Sequence, residues 1–256
     1  MPGLINRDAA GLMAPHVLPA QTVLAALRNS RSAHGGPSVQ QQYQNESVNR
    51  LIHVKQGETC QLLILSTRAG AVQSNITVHQ EAGSVFKSMH IMQSDTAHHD
   101  VMTIHLQGQG AQCEVRALQL GRGTAQIQLD LNVHHEADAS CSEIEVRGVA
   151  KGQSRLAFRG LIHVLPHVKD VVANEQNKNL LLSGTAIIDS KPELEIDSSD
   201  VICHHGSSVG SLDENALFYL EARGFSESEA RDILVNAFVM NLFKEDWDDH
   251  ARYIEA

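Results

Sequence analysis

The sequence predicts a mainly β protein that ends in a helical segment. Between residues 46 and 210, short stretches of alternating apolar and polar residues follow one another, and Gly, Asn, Asp and Ser separate them. Aromatic residues make up only 4% of the chain, so we expect a core built mainly from Val, Ile, Leu and Ala. From residue 211 the period changes from two residues to that of a helix.

Each alternating stretch is predicted to be a strand with one buried side and one side facing water. The predicted strands are QLLIL (61–65), NITVH (75–79), MTIHLQ (102–107), AQIQLDLNV (125–133), SEIEVRGV (142–149), SRLAFRGLIHV (154–164), NLLLSGTAII (179–188) and ELEID (193–197). A sandwich, a barrel and a β-solenoid all satisfy this pattern, and we find no strict repeat. Gln126, Gln128 and Asp130 lie opposite an aliphatic face, which favours the solenoid.

Composition divides the chain into three parts. Residues 1–28 are weakly helical, and residues 30–47 are small, polar and contain Gly and Pro, as linkers do. We therefore expect an N-terminal partly helical segment and linker at 1–45, a β core at 46–210 and a C-terminal helical domain at 211–256.

Two capping boxes predict a helical hairpin with a tail at the C-terminus. The first box, Ser211–Glu214, opens a helix that ends at Gly224, which can adopt a left-handed conformation. The second box, Ser226–Glu229, opens a helix with a broad apolar stripe.

Charge and cysteine content exclude several classes of protein. The net charge of −10, with dispersed Lys and Arg, is unlike a nucleic-acid-binding surface. No apolar run reaches the roughly 18 residues that a membrane span needs. The four cysteines are widely separated and form no CxxC pair, so we expect a cytoplasmic protein with reduced thiols.

The segment Cys203-His204-His205 is the main candidate for chemistry. In a strand, Cys203 and His205 project from one face and His204 from the other. A thiolate and an imidazole on one face form half of a zinc or iron site. The other ligands would come from elsewhere in the chain, from a sulfide-bridged cluster or from a second subunit. Alternatively, Cys203 is a buried apolar residue and the histidine is only hydrogen-bonded.

The other polar groups give weaker signals. The runs His98-His99-Asp100 and His134-His135-Glu136 contain metal-ligand types, but neighbouring residues on a strand face opposite sides. The chain has no GxSxG, Walker-type or HExxH motif. Asp130, Glu136 and Asp138 are candidates for a carboxylate pair of the glycosidase kind.

The C-terminal half resembles the SufB and SufD family of iron–sulfur cluster assembly proteins. The segments that carry the resemblance are RGV (147–149), NEQNKNLLLSGTAII (174–188), PELEI (192–196), DVICHHG (200–206) and LDENALFYLEARGFSESEA (212–230). Within the family, Asn177 stands where SufB-type chains carry a cysteine, and His205 stands where they carry a glutamate. Both positions favour the SufD branch.

The resemblance implies a β-helix core flanked by helices, which acts as a scaffold and not as an enzyme. It implies pairing with a SufB-like subunit through the ends of the two β-helices, and docking of a SufC-like ATPase on the C-terminal helices. The implied cargo is a transient iron–sulfur cluster at the subunit interface, with no cofactor bound tightly by the isolated chain.

The resemblance also assigns residues. His205, immediately before the glycine of the motif, is the implied cluster ligand, and Cys203 lies two residues before it. The residues implied in ATPase docking are Leu217, Phe218, Tyr219, Arg223, Gly224 and Phe238. The chain departs from the family in its short length, in its reduced N-terminal helical region and in the additional His204.

Two alternatives belong to other classes of function. One is a carbohydrate-active enzyme on a β-helix, for which Asp130, Glu136 and Asp138 would lie close together. The other is a metal-free structural homodimer that pairs through the edge of the β-helix.

Overall fold

A computed structural model describes residues 38–43, 48–66 and 72–243. The predicted helical stretch 1–28 and the C-terminal tail beyond residue 243 lie outside these residues. The strands and the two helices belong to separate compact units, which divide between Ser211 and Leu212.

In the described part of the first unit, thirteen strands form two parallel sheets. The seven-stranded sheet contains, in spatial order, β1 (Ser38–Tyr43), β3 (Thr59–Ser66), β5 (Val85–Ser94), β7 (Gln112–Gly121), β9 (Cys141–Ala150), β11 (Val171–Leu181) and β13 (Val201–Gly210). The six-stranded sheet contains β2 (Val48–Val54), β4 (Val72–Gln80), β6 (Ala97–Leu106), β8 (Gln126–His135), β10 (Arg155–Val164) and β12 (Ile187–Ile196). Because successive strands alternate between the sheets, the chain winds as a β-solenoid, which confirms the predicted fold class.

The strands pair in register, so equivalent side chains form columns along the solenoid. In one column Val78 pairs with Ile104, Ile104 with Val133, and Val133 with Ile162. All four side chains are fully buried. Strands β6, β8 and β10 alternate regularly between buried interior residues and more exposed outer residues, as the period of two predicts.

Several strands differ from their predicted extents. The stretch 179–188 is not one strand, because it contains the end of β11, a turn and the start of β12. Strands β5 and β7 had no predicted counterpart, since many of their residues are buried on both faces and the alternation is lost. β1 lies within residues 30–47, where composition predicted a linker.

The second unit contains α1 (Glu214–Ala222) and α2 (Glu227–Met240). The predicted capping box at Ser211 is wrong, because Asp213 is the N-cap and its side chain accepts a hydrogen bond from the Asn215 amide at 2.8 Å. The box between Ser226 and Glu229 is present, and Gly224 follows α1 with a φ of +98°.

We expect Ile104→Ala to lower the free energy of unfolding by about 2–5 kcal/mol, because it opens a cavity in a fully buried column. Thr103→Ala, on the outer face of the same strand, is the control and should cost less than about 1 kcal/mol. Urea denaturation measures both, and equal losses would show that the two faces of β6 are assigned incorrectly.

Candidate functional site

The candidate ligands lie on the last strand of the seven-stranded sheet. Ala173 pairs with Cys203 and Glu175 pairs with His205, and both β11 residues are buried in the solenoid. Paired positions of in-register parallel strands share one face, so Cys203 and His205 both lie on the interior side and His204 lies on the outer side.

The terminal position of β13 leaves this site open. Among the described strands, β13 pairs only with β11. Cys203 is half-buried and His205 is exposed. Burial raises the pKa of the Cys203 thiol, so a metal ion that binds this sulfur must displace its proton.

A cleft of about 310 Å³ lies along the paired strands β11 and β13. It is lined by residues 174–178 of β11 and 204–208 of β13, and therefore by both Glu175 and His205. The cleft is also lined by Asn177, the position at which the two branches of the resembled family differ.

Glu175 is the residue of this site that the sequence did not reveal. Its side chain is only 1% exposed, and neither carboxylate oxygen has a hydrogen-bond partner among the described residues. Burial raises the pKa of Glu175 to about 7. Gly160 of β10 leaves room for this carboxylate, since a Cβ at that position would lie 2.3 Å from Oε2. The sequence signal that could have revealed Glu175 is the row of polar residues at every second position of β11, counted back from Asn179.

Two buried amides continue the interior polar row of β11. Asn179 donates one hydrogen bond to the side-chain oxygen of Asn177 and another to the carbonyl oxygen of Ser208, at 3.2 Å. Asn177 Nδ2 and Asn179 Oδ1 have no hydrogen-bond partner in the described part of the chain. The interior beneath β13 is therefore polar at three successive inward positions.

The first histidine run does not form an open site. His98 and His90 both contact Asp100 Oδ2 at 2.7 Å, and Ser74 donates a hydrogen bond to the same carboxylate. Burial favours a higher pKa for Asp100, but the two imidazoles hold it below its usual range. His99 faces outward and contacts Asp130 at 2.7 Å.

The second run is also divided between the two faces. His135 is buried between the hydroxyls of Ser140 and Ser142, at 2.8 and 2.9 Å, and burial lowers its pKa to about 4. His134 lies on the outer face, where burial and the neighbouring histidines lower its pKa. No group of three or more His, Cys, Asp or Glu residues has an arrangement that can hold a metal ion within residues 38–43, 48–66 and 72–243.

The outer face carries a column of imidazoles that the predicted strands did not reveal. The column contains His53, His79, His105, His134 and His163, which are 26, 26, 29 and 29 residues apart. The first four rings are stacked with centroids 4.8–5.3 Å apart, and the last pair is edge-on at 5.5 Å. This spacing is the length of one coil, so the sequence does contain a loose repeat.

The three carboxylates proposed for glycosidase chemistry do not all lie together. Asp130 contacts His99, Glu136 contacts His105 at 2.5 Å, and Asp138 accepts a hydrogen bond from the Lys169 amide at 2.9 Å. Asp130 and Glu136 are separated by six residues along β8 and its end, which is roughly 20 Å. Glycosidase carboxyl groups lie about 5–9.5 Å apart, so Asp130 is too far from Glu136 for such a pair. Glu136 and Asp138 line one cleft, and each has the partner named above.

The predicted docking residues occupy different environments on the two helices. Leu217 is buried, whereas Phe218 and Tyr219 are 73% and 57% exposed. The Arg223 guanidinium lies 4.8 Å from the centroid of the Tyr219 ring. Phe238 of α2 is partly buried. Within the described residues, no helix is long and apolar enough to cross a membrane.

Comparison with known proteins identifies a shared domain. Residues 33–238 match the family described as SUF system FeS cluster assembly, SufBD core domain. The iron–sulfur cluster assembly protein SufD of Escherichia coli K12 is 37% identical over 94 residues, which are 37% of this chain and 22% of that protein. SufD of Bacillus subtilis 168 is 29% identical over 143 residues, which are 56% of this chain and 33% of that protein.

A further relative gives a similar picture. An iron–sulfur cluster assembly SufBD family protein of Synechocystis is 36% identical over 85 residues, covering 33% of this chain and 19% of the relative. The chain therefore spans about a third or less of the length of these curated relatives.

We expect Glu175→Gln to stabilise the protein increasingly as the pH rises. The pKa of Glu175 rises from an ordinary 4.5 to about 7 on folding, so wild type loses stability between these values and the neutral amide does not. At about 1.4 kcal/mol per pKa unit, the difference in unfolding free energy should grow by about 3 kcal/mol.

Urea denaturation at about pH 5 and about pH 8 measures this difference. Glu193→Gln, at an exposed position of β12, is the control. A difference between wild type and Glu175→Gln that does not change with pH would mean that Glu175 is solvated in the folded protein.

Proposed function

Because the chain belongs to the family that shares the SufBD core domain of the SUF system for FeS cluster assembly, we propose that it is a SufD-type scaffold subunit. The observation that carries this proposal is the placement of Cys203 and His205 side by side on an open terminal strand. In this role the chain supplies ligands for a cluster that is its cargo, and it does not itself catalyse a reaction.

We propose that a SufB-like subunit pairs with the end of the solenoid formed by β12 and β13. Each of these strands ends its sheet among the described strands and therefore presents backbone groups that a further strand can pair with. Four exposed large apolar residues lie on these two strands, namely Ile187, Ile196, Ile202 and Val209. Apolar residues beside an open edge are typical of an interaction surface.

The ligand set of the chain fits an iron–sulfur cluster as cargo. Such clusters are bound by cysteine thiolates and, at some sites, by histidine imidazoles, and Cys203 and His205 supply one of each. The chain leaves the remaining positions to sulfide and to the partner subunit. Ligands divided between two chains suit a scaffold, because separation of the chains weakens the site and releases the cluster.

We propose that the exposed side of α1 docks a SufC-like ATPase. Phe218 and Tyr219 supply aromatic surface, and Arg223 lies over the Tyr219 ring. Exposed aromatic and arginine side chains are the residue types that most often dominate binding at protein interfaces. Leu217 contributes instead by packing within the helical unit.

We expect His205→Ala to form the complex with a SufB-like subunit and an ATPase but to lose bound iron and sulfide. Alanine removes the imidazole from an exposed position, so the solenoid should remain folded. The measurement is iron and acid-labile sulfide per complex, purified under anaerobic conditions after cluster assembly.

His204→Ala is the control, because it removes an imidazole from the outer face of the same strand. It should keep wild-type iron and sulfide. Wild-type cluster content in the His205→Ala complex would remove His205 from the site. Formation of a dimer of this chain alone, with no binding of a SufB-like subunit, would favour the structural homodimer.

We expect Phe218→Ala to weaken binding of the ATPase by about tenfold or more, since the ring is 73% exposed on α1. Isothermal titration calorimetry with the full chain measures the Kd. Glu221→Ala, also exposed on α1, is the control and should change binding little. An unchanged Kd for Phe218→Ala would place the docking surface elsewhere.

A further inference from the structure

The imidazole column on the outer face of the six-stranded sheet has no part in the proposed function. Its first four rings are stacked, and their planes lie within 15° of one another from ring to ring. The centroid of the His134 ring lies 5.0 Å from that of His105 and 5.5 Å from that of His163. Histidine is the side chain whose ordinary charge change lies between about pH 5 and pH 8. The charge of this column therefore depends on pH near neutrality.

Hydrogen bonds around Glu136 organise one side of the column. The two carboxylate oxygens of Glu136 accept from His105 Nδ1 at 2.5 Å and from the Gln107 amide nitrogen at 3.0 Å. Because this amide nitrogen is the donor, the Gln107 carbonyl oxygen accepts from His79 Nδ1, at 3.1 Å. Burial favours a higher pKa for Glu136, but the hydrogen bonds from His105 and Gln107 and the charges of His105 and His134 hold it below its usual value. The ionised carboxylate in turn favours the charged form of His105.

A second carboxylate lies on the other side of His134. Asp197, which follows β12, contacts His163 Nε2 at 3.6 Å, and His163 Nδ1 lies 3.4 Å from His134 Nδ1. A charged His163 carries a proton on both ring nitrogens, so its Nδ1 donates to His134 Nδ1. The accepting nitrogen must have a free lone pair, and this hydrogen bond therefore requires a neutral His134.

The surroundings of His134 also keep this ring neutral. Burial, and then the charges of His105 and His163, lower the pKa of His134, while the charges of Glu136 and Glu195 oppose this shift. These groups face His134 from β6, β10, the end of β8 and β12. Within the described part of the chain, no carboxylate is hydrogen-bonded to His134 itself.

We propose that the imidazole column is a pH-sensitive switch, which is closed while its central ring, His134, is neutral and opens when that ring is protonated. A proton taken from solvent by His134 Nδ1 occupies the lone pair to which His163 donates. It also places a like charge 5.0 Å from His105 and 5.5 Å from His163. The repulsion loosens the pairing of β8 with β6 and β10. This inference does not depend on the scaffold role.

The effect on stability has a defined direction. Because folding lowers the pKa of His134, the unfolded chain binds this proton more readily than the folded chain does. The folded state therefore loses stability as the pH falls below 6.5, the ordinary value for histidine. Well above 6.5 the ring is neutral in both states, and its contribution no longer changes with pH.

Urea denaturation of the full chain at about pH 8 and about pH 5 tests the switch with His134→Gln, since glutamine keeps a polar group and cannot be protonated. We expect acidification to lower the folding equilibrium constant of wild type by roughly threefold more than that of His134→Gln, as one like charge at about 5 Å in salt-containing water predicts. His204→Gln, at an exposed position outside the column, is the control and should follow wild type. Equal losses in wild type and His134→Gln would overturn the proposal.

Amide exchange tests the location of the opening in the wild-type chain. The protection of the β8 amides, Gln126–His135, is compared with that of the β9 amides, Cys141–Ala150, which belong to the other sheet. After correction for the intrinsic pH dependence of exchange, acidification from about pH 7.5 to about pH 5 should lower protection severalfold in β8 and leave β9 unchanged. Parallel changes in both strands would contradict the switch, because acid would then act on the solenoid as a whole.

Discussion

In-register pairing of parallel strands is the constraint on which the rest of the structure depends. It places equivalent residues of successive coils above one another. The side chains of one column therefore share one environment and must pack against each other in it. Val78, Ile104, Val133 and Ile162 satisfy this requirement with buried aliphatic groups. On the outer face, the same rule places five histidine rings in one column at the spacing of the coils, and the first four of them are stacked.

The columns end at β12 and β13, and the proposed function depends on this end. A column in the middle of the solenoid is closed above and below, whereas the last member of a column faces an open edge. Cys203 and His205 occupy such positions, above Ala173 and Glu175. The stacking that builds the core thus presents two potential ligands to a partner and buries a carboxylate beneath one of them.

The period of two predicted the strands with one wet face and the shared face of Cys203 and His205, because both depend only on local geometry. It did not predict β5, which is buried on both faces, or most of β11, whose inward positions are polar. Glu175 was missed for the same reason. Its burial depends on the neighbouring coil and on Gly160, which are distant in sequence.

Hydrogen–deuterium exchange of the β13 amides, Val201–Gly210, is the most direct test of whether a partner pairs with the open edge of this strand. The exchange is measured in the chain alone and with a SufB-like subunit. Pairing at this edge predicts that amides facing away from β11 exchange readily in the isolated chain and become protected in the complex. Complex formation with unchanged exchange along β13 would contradict the account, because the partner would then bind elsewhere and could not complete a site at His205.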